Sequence, residues 1–272
     1  SERRSAEPTI MVRVSQSNLT VLARPVLSKG EKVGVVTVSI DGSAPTVVTQ
    51  SGTGYRVTLT RADFGKSIVF TATARLARYA DSDPTSSDPF VFSSAAQPTD
   101  IAITQRDLTV TARVTVPAMQ TIGLVTISVG GASPITLTRS AGGYSVKLTR
   151  GDLGKSLVVS AVSRKIGLAD SDAYSSAPFA FSAAATPTSV TVRQSGVNVI
   201  ASVNLPDGQS IGRVTVSVDG GTPSIVRRTA AGFVKRLTHA SNGKSVVFNI
   251  TSTKSGKAVS EVYSTSPFTF VG

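Results

Sequence analysis

Apolar and polar residues alternate with a period of two along most of this chain. In Leu19–Arg24, Leu19, Val21 and Ala23 fall on one face and Thr20, Leu22 and Arg24 on the other. Leu108, Val110, Ala112 and Val114 likewise stand against Thr109, Thr111, Arg113 and Thr115. In Gly34–Gly42, GVVTVSIDG, Val36, Val38 and Ile40 take the inward positions and Thr37 and Ser39 the outward ones. Such alternation predicts half-buried strands. A slip of one residue would bury Thr, Ser or Arg, so the register is well specified. The Asp41-Gly42 pair predicts a turn with positive φ. Beyond it, Tyr55, Val57 and Leu59 form one apolar row, then Ile68, Phe70 and Ala72 another; Phe90 and Phe92 mark the last strand. The pattern predicts about seven short strands per module and no amphipathic helix, a two-sheet antiparallel sandwich.

The same pattern is written three times. GVVTVSIDG returns as GLVTISVGG at Gly123–Gly131 and as GRVTVSVDG at Gly212–Gly220, a step of 89 residues each time. Gly65-Lys66-Ser67, Tyr55 and Pro89-Phe90 recur at the same step, with Phe233 in the aromatic place of the third copy. Repeats of solenoids run roughly 20–50 residues, so a copy this long is a domain in itself. The copies are 8–97, 98–186 and 187–272, opening at Pro8-Thr9, Pro98-Thr99 and Pro187-Thr188, behind a polar lead 1–7. Proline at a strand's start costs no ladder bond. The joints 93–97 and 182–186 are short, which predicts nearly touching modules with limited bending. Val36, Val125 and Val214, and Phe90, Phe179 and Phe268, are expected in the three cores.

Composition narrows the function classes. Apolar residues make up 40% and charged residues 16%, with no Cys and no Trp, which suits sandwiches with uncharged polar outer faces rather than a disordered tail. Without cysteine there is no disulfide framework and no thiolate metal site. No apolar run is long enough to span a membrane as a helix. The chain starts at Ser1 rather than Met and shows no signal peptide, as expected of a processed or excised piece. Net charge is +12, and half of it falls on 187–272, where nine Lys/Arg face three acids. Such an excess either solvates the surface or attracts a polyanion. Nucleic acid is disfavoured, because the few aromatics read as core and offer no stacking platform or recognition helix.

The run G-x-V-T-V-S-V-D-G-G-x-P, followed by an aromatic-V-x-L strand, G-K-S-V-V-F-x-x-T and S-x-P-F-x-F, resembles bacterial immunoglobulin-like repeats. Such modules occur in secreted and cell-wall proteins of Gram-positive bacteria and in phage virions. The resemblance covers 8–272. It implies an all-β fold of three tandem immunoglobulin-like antiparallel β-sandwiches of about 89 residues each. It also implies a stalk, spacer or adhesive unit outside the cell, on a bacterial surface or a virion, among other modules of that assembly. Asp63 and its copy Asp152 resemble the acid at the E–F corner of immunoglobulin domains; Ser241 replaces it in the third copy.

No residue set supports catalysis. Gly65-Lys66-Ser67 resembles the end of a phosphate loop, but Thr60 stands where the first Gly belongs and a strand follows. His239, the one histidine, falls at a loop corner beside no acid, which leaves a Ser–His–Asp triad without support. Arg150-Gly151-Asp152 spells a tripeptide similar to integrin ligands, although the first copy has Arg61-Ala62-Asp63 at that corner. Asp81 and Asp83, repeated as Asp170 and Asp172, are candidate Ca²⁺ ligands or polar turns; two carboxylates are few for an ion that takes six to eight oxygens. No other cofactor is implied. Arg227, Arg228, Lys235 and Arg236 form the densest basic run and the candidate site for an acidic glycan or wall polymer. Lys235 occupies an inward register, so either its stem is buried beneath a rim-reaching ammonium or its strand is bulged. The expected role is a non-enzymatic structural or adhesive surface protein, with glycan or polyanion binding through the third module as the alternative.

Overall fold

A computed structural model describes residues 11–272; the polar lead 1–7 and the Pro8-Thr9 opening lie outside the described residues. The first module contains β1 (Met11–Ser17), β2 (Thr20–Val26), β3 (Lys32–Ile40), β4 (Thr46–Val47), β5 (Gln50–Ser51), β6 (Gly54–Thr58), β7 (Ser67–Arg75), β8 (Thr85–Ser86) and β9 (Phe90–Val91), with a 3₁₀ turn at Arg61–Asp63. One sheet has the order β1-β2-β6-β5. The other has the order β4-β3-β7-β8, with β9 also on β7. The same two sheets recur between Asp100 and Ala180 and between Ser189 and Thr269. The chain is therefore three tandem immunoglobulin-like, all-antiparallel sandwiches. Each copy has nine strands rather than about seven, the additions being two-residue ladders too short to carry a period.

The predicted faces hold. Val21, Ala23, Tyr55 and Leu59 from the first sheet meet Val36, Val38, Ile68, Phe70, Ala72 and Phe92 from the second. Val36, Val125 and Val214 are all buried. The phenylalanines need a correction. Phe90, Phe179 and Phe268 are only half-buried, whereas Phe92, Phe181 and Phe270 are fully enclosed. Phe90 borders a surface groove between β1 and the segment leading into β9.

The repeated glycine of the opening motif has a steric cause. The β3–β7 register shifts between Val33 and Val36, and at that bulge the Val35 amide donates to Thr73 Oγ1 at 2.9 Å. A Cβ on Gly34 would collide with that hydroxyl. Gly212 faces Thr251 in the same way, at 2.8 Å from the hydroxyl. The turn after β3 has positive φ at Asp41 (52°) and Gly42 (74°), as the Asp-Gly pair predicted.

The chain divides into two compact units, and the division runs through the second sandwich. One unit joins the first module to Val114–Val125 and Ser160–Ser175; the other joins Ile101–Arg113 and Thr126–Val159 to Ser176–Gly272. Among the described residues no helix is long and apolar enough to cross a membrane.

Burial separates the two aromatics of each last strand. Phe92→Ala should cost roughly 3–5 kcal/mol in chemical denaturation of the intact chain, the range for a large core aromatic. Phe90→Ala should cost clearly less; equal losses would contradict the packing described above.

Candidate functional site

The most elaborate chemistry in the molecule lies where one module meets the next, and it begins at the 3₁₀ corners. Asp63 Oδ2 accepts from the Thr60 amide (2.9 Å) and hydroxyl (2.8 Å), and its Oδ1 accepts from Lys66 Nζ (2.8 Å). Asp152 repeats this with Thr149 (3.1 and 2.7 Å) and Lys155 (2.8 Å). The Lys66 ammonium and the Thr60 donors hold the Asp63 carboxyl well below the usual carboxylate range, at about 2. Lys155 and Thr149 do the same for Asp152, also to about 2. Ser241 cannot supply these bonds. The third corner keeps its backbone bonds, Ser241 N to Thr238 O, Asn242 N to His239 O and Lys244 N to Ser241 O, while Asn242 Oδ1 accepts from the Gly272 amide (2.8 Å).

The first two corners each aim an arginine at the next module. Arg61 lies over the Phe64 ring, 5.1 Å from its centre, and that ring packs on Phe92 at 5.0 Å. From there Arg61 pairs with Asp172 and donates to the Asp170 carbonyl (3.1 Å). Arg150, 89 residues on, pairs with Glu261 (2.6 Å) and donates twice to the Val259 carbonyl (3.2 and 3.1 Å). All four charged side chains are largely exposed, so each ion pair by itself is worth about 0–1 kcal/mol.

The larger share of each joint rests on a buried amide. Gln16, 6% exposed, donates to the Asn18 and Ser93 carbonyls (2.8 and 2.7 Å) and accepts from the Ser93 amide (3.2 Å). Ser93 O in turn accepts from Ala169 N (3.2 Å), and Ala95 N donates to Ala169 O (2.8 Å), a parallel bridge into the second module. Ala96 is then held at both ends by Gln120 (2.9 and 2.9 Å), and its carbonyl also accepts from Ser163 Oγ. The second joint repeats the design. Gln105 holds Ser182, Ser182 O accepts from Ala258 N (3.0 Å), and Ser252 Oγ donates to Ala185 O. Ala169 and Ala258 are completely buried there, whereas the equivalent Ala80 of the first module is exposed. Truncating such a glutamine strands a buried backbone amide and carbonyl, at about 1–3 kcal/mol.

No family model matches the chain, and no curated protein matches it in sequence. Solved structures with similar tandem domains include the chicken CNTN1 FN1–FN3 domains, at 11% identity and a TM-score of 0.30, covering 97% of this chain and 99% of that one. Domains A168–A170 of titin match at 12% identity and a TM-score of 0.34, covering 97% and 98%. A two-domain fibronectin type-III segment of chicken tenascin matches at 19% identity and a TM-score of 0.28, covering 64% and 99%.

The sequence-derived candidates are dispersed among these features. Asp81 pairs with Arg75 (3.0 Å) and Asp170 with Arg164 (3.2 Å), each inside its own module, while Asp172 serves the Arg61 clasp. Asp83 is exposed. Asp81, Asp170 and Asp172 thus face guanidinium groups, and among the described residues no three acids, histidines or cysteines converge on a metal-sized site. In Arg150-Gly151-Asp152 both charged ends are occupied, one by Glu261 and the other by Thr149 and Lys155. His239 is exposed at the third corner, in the register of Arg61 and Arg150.

Of the basic run, Lys235 lies opposite the fully buried Val199 in an unbroken register, so its strand is not bulged; its stem is half-buried and Nζ reaches Ser224 Oγ at 3.4 Å. Arg228 lies opposite Phe233 and lines a shallow cleft that Arg227, Lys235 and Arg236 do not line. The joint glutamines escaped the sequence reading. Their signal was a polar residue on the apolar face of a strand, after Val12 and Val14 in the case of Gln16, recurring at Gln105 and Gln194.

The two depressed carboxyls set a pH dependence. Their stabilisation is complete above the ordinary carboxylate pKa near 4 and is lost as pH falls towards about 2. Side-chain carboxyl NMR titration should place Asp63 and Asp152 last to protonate, and Asp63→Asn should remove the pH 4-to-2 loss from the first corner alone. Ordinary titration of both groups near 4 would refute the capping geometry.

Proposed function

We propose that the chain is a non-enzymatic spacer of a bacterial surface or a virion, which presents its neighbours at set intervals and orientations. The observation that carries this reading is the recurrence of one clasp at both joints. A buried glutamine fixes the end of one module, a parallel bridge carries the chain onto the next, and a corner arginine reaches an acid and a carbonyl of that next module. A flexible string of beads needs none of these groups. Polar linkers of five residues would connect such modules equally well and leave them free to turn. The cost of burying Gln16 and Gln105 in otherwise apolar rows is offset only when their amides are fully bonded, which requires the joint to be in place. The sandwich cores supply fold stability; the clasps supply orientation. An extracellular setting agrees with immunoglobulin-like modules that carry no thiol to protect and hold themselves by packing alone.

Residual dipolar couplings of the intact chain test the reading. The first two modules should share a single alignment tensor. The double variant Gln16→Ala, Arg61→Ala should give two independent tensors while each module stays folded. Two tensors in the unaltered chain would overturn the spacer function.

A further inference from the structure

The second joint carries two cations, Arg106 and Lys257, that the first lacks. A groove of about 620 Å³ opens there, and its lining includes Arg106, Lys254, Lys257 and the half-buried Phe179. No carboxylate lines it. The neighbouring Asp107 carboxylate is turned to the Val259 amide (3.4 Å), and among the described residues none of the three cations forms an ion pair. Lys257 is held in place by its bond to Ser182 Oγ (3.0 Å).

The fold does not require these charges. At the equivalent positions of the first joint, 89 residues earlier, stand Ser17, Phe90, Lys165 and Leu168, so the same architecture forms there with one cation instead of three. Arg106 and Lys257 are the departures. Gathering three like charges around one concavity disfavours the empty state and raises the local concentration of anions. The volume falls within the roughly 300–1,000 Å³ of small-molecule sites, which favour domain junctions and combine an apolar surface with a few convergent polar groups.

We propose that this groove binds an acidic oligosaccharide, with a pyranose face against Phe179 and carboxylate or sulfate substituents among Arg106, Lys254 and Lys257. The aromatic side chain in the lining favours a saccharide over a free inorganic anion, which would use the cations alone. The proposal is independent of the spacer function and places the glycan site at the junction rather than at Arg227, Arg228 and Arg236.

Calorimetric titration of the full chain with a heparin-derived tetrasaccharide and an oligogalacturonate of the same length tests it, and separates sulfate from carboxylate as the recognised substituent. At least one should bind, and more weakly as salt rises. Arg106→Ser with Lys257→Leu, which installs the residues of the first joint, should weaken binding by at least about tenfold, the loss expected when charge-assisted contacts are removed. Arg227→Ser with Arg228→Ser should leave binding within about twofold, since neither side chain lines the groove and exposed charges outside a site contribute little. Phe179→Leu should weaken the saccharide while sparing inorganic sulfate. The proposal is overturned if neither saccharide binds, if the Arg106/Lys257 variant binds as tightly as the unaltered chain, or if the Arg227/Arg228 variant loses the binding. Tighter binding of a single-stranded oligonucleotide through the same residues would equally overturn the saccharide assignment.

Discussion

A single amide in an apolar row governs how this protein continues from one module to the next. Gln16 sits where the alternation of β1 calls for a hydrophobic side chain, and its burial is tolerable only because both of its polar ends find backbone partners. Those partners include the amide and carbonyl of Ser93, the first residue of the joint. Once Ser93 is fixed, its carbonyl is aimed at Ala169 and the chain enters the second module as a short parallel ladder. The exposed Arg61–Asp172 pair contributes little energy by comparison, but it adds a second link between the two modules, apart from the ladder.

The three copies are alike where the sandwich needs them alike, and they differ where they meet. Ser163 and Ser252 donate to joint carbonyls, and the first copy has Ala74 in that place. Gln120 holds Ala96, whereas the equivalent Glu31 bonds locally to the Ser28 amide (3.2 Å). A Cβ at Gly167 or Gly256 would come within 4 Å of the Gln16 or Gln105 carbonyl, and Arg78 occupies the same turn in the first copy at φ 72°. The receiving half of the joint is therefore written into the second and third copies and missing from the first, so the copies are not interchangeable. The second joint has also given up a contact: Gln209 Oε1 is buried without a partner among the described residues, where Gln120 Oε1 accepts from Ala96.

Most of the sandwich was legible in the sequence, because period-two burial and Asp-Gly turns are local properties. The faces of β2, β3 and β7 and the positive φ at Asp41 and Gly42 follow directly from residue order. What escaped was decided between distant segments. Phe90 and Phe92 share a face in any regular strand, and only the groove beside β1 distinguishes them. Two-residue ladders such as β4 and β5 have no period to detect. The basic run around Arg227 looked like a patch because its residues are neighbours in sequence, yet alternation turns Lys235 inward against Val199 and leaves Arg228 at a separate edge. Arg106 and Lys257 are far apart in sequence and gave no such signal.

Tandem repetition supplies an internal control that a single domain lacks. A residue kept at every step of 89 is explained by the module: Gly34 by its bulge, Gln16 by the joint it starts. A residue that changes at one step without disturbing the backbone is free of that explanation. Ser17 and Leu168 show that the joint closes without a cation at these two positions, so closure does not require Arg106 or Lys257. The same reasoning weakens the tripeptide Arg150-Gly151-Asp152 as a ligand for other proteins. Its arginine and aspartate recur as Arg61 and Asp63, with the same carboxylate cap and the same reach into the following module. Only the glycine between them is new, and Ala62 shows that the turn forms without it.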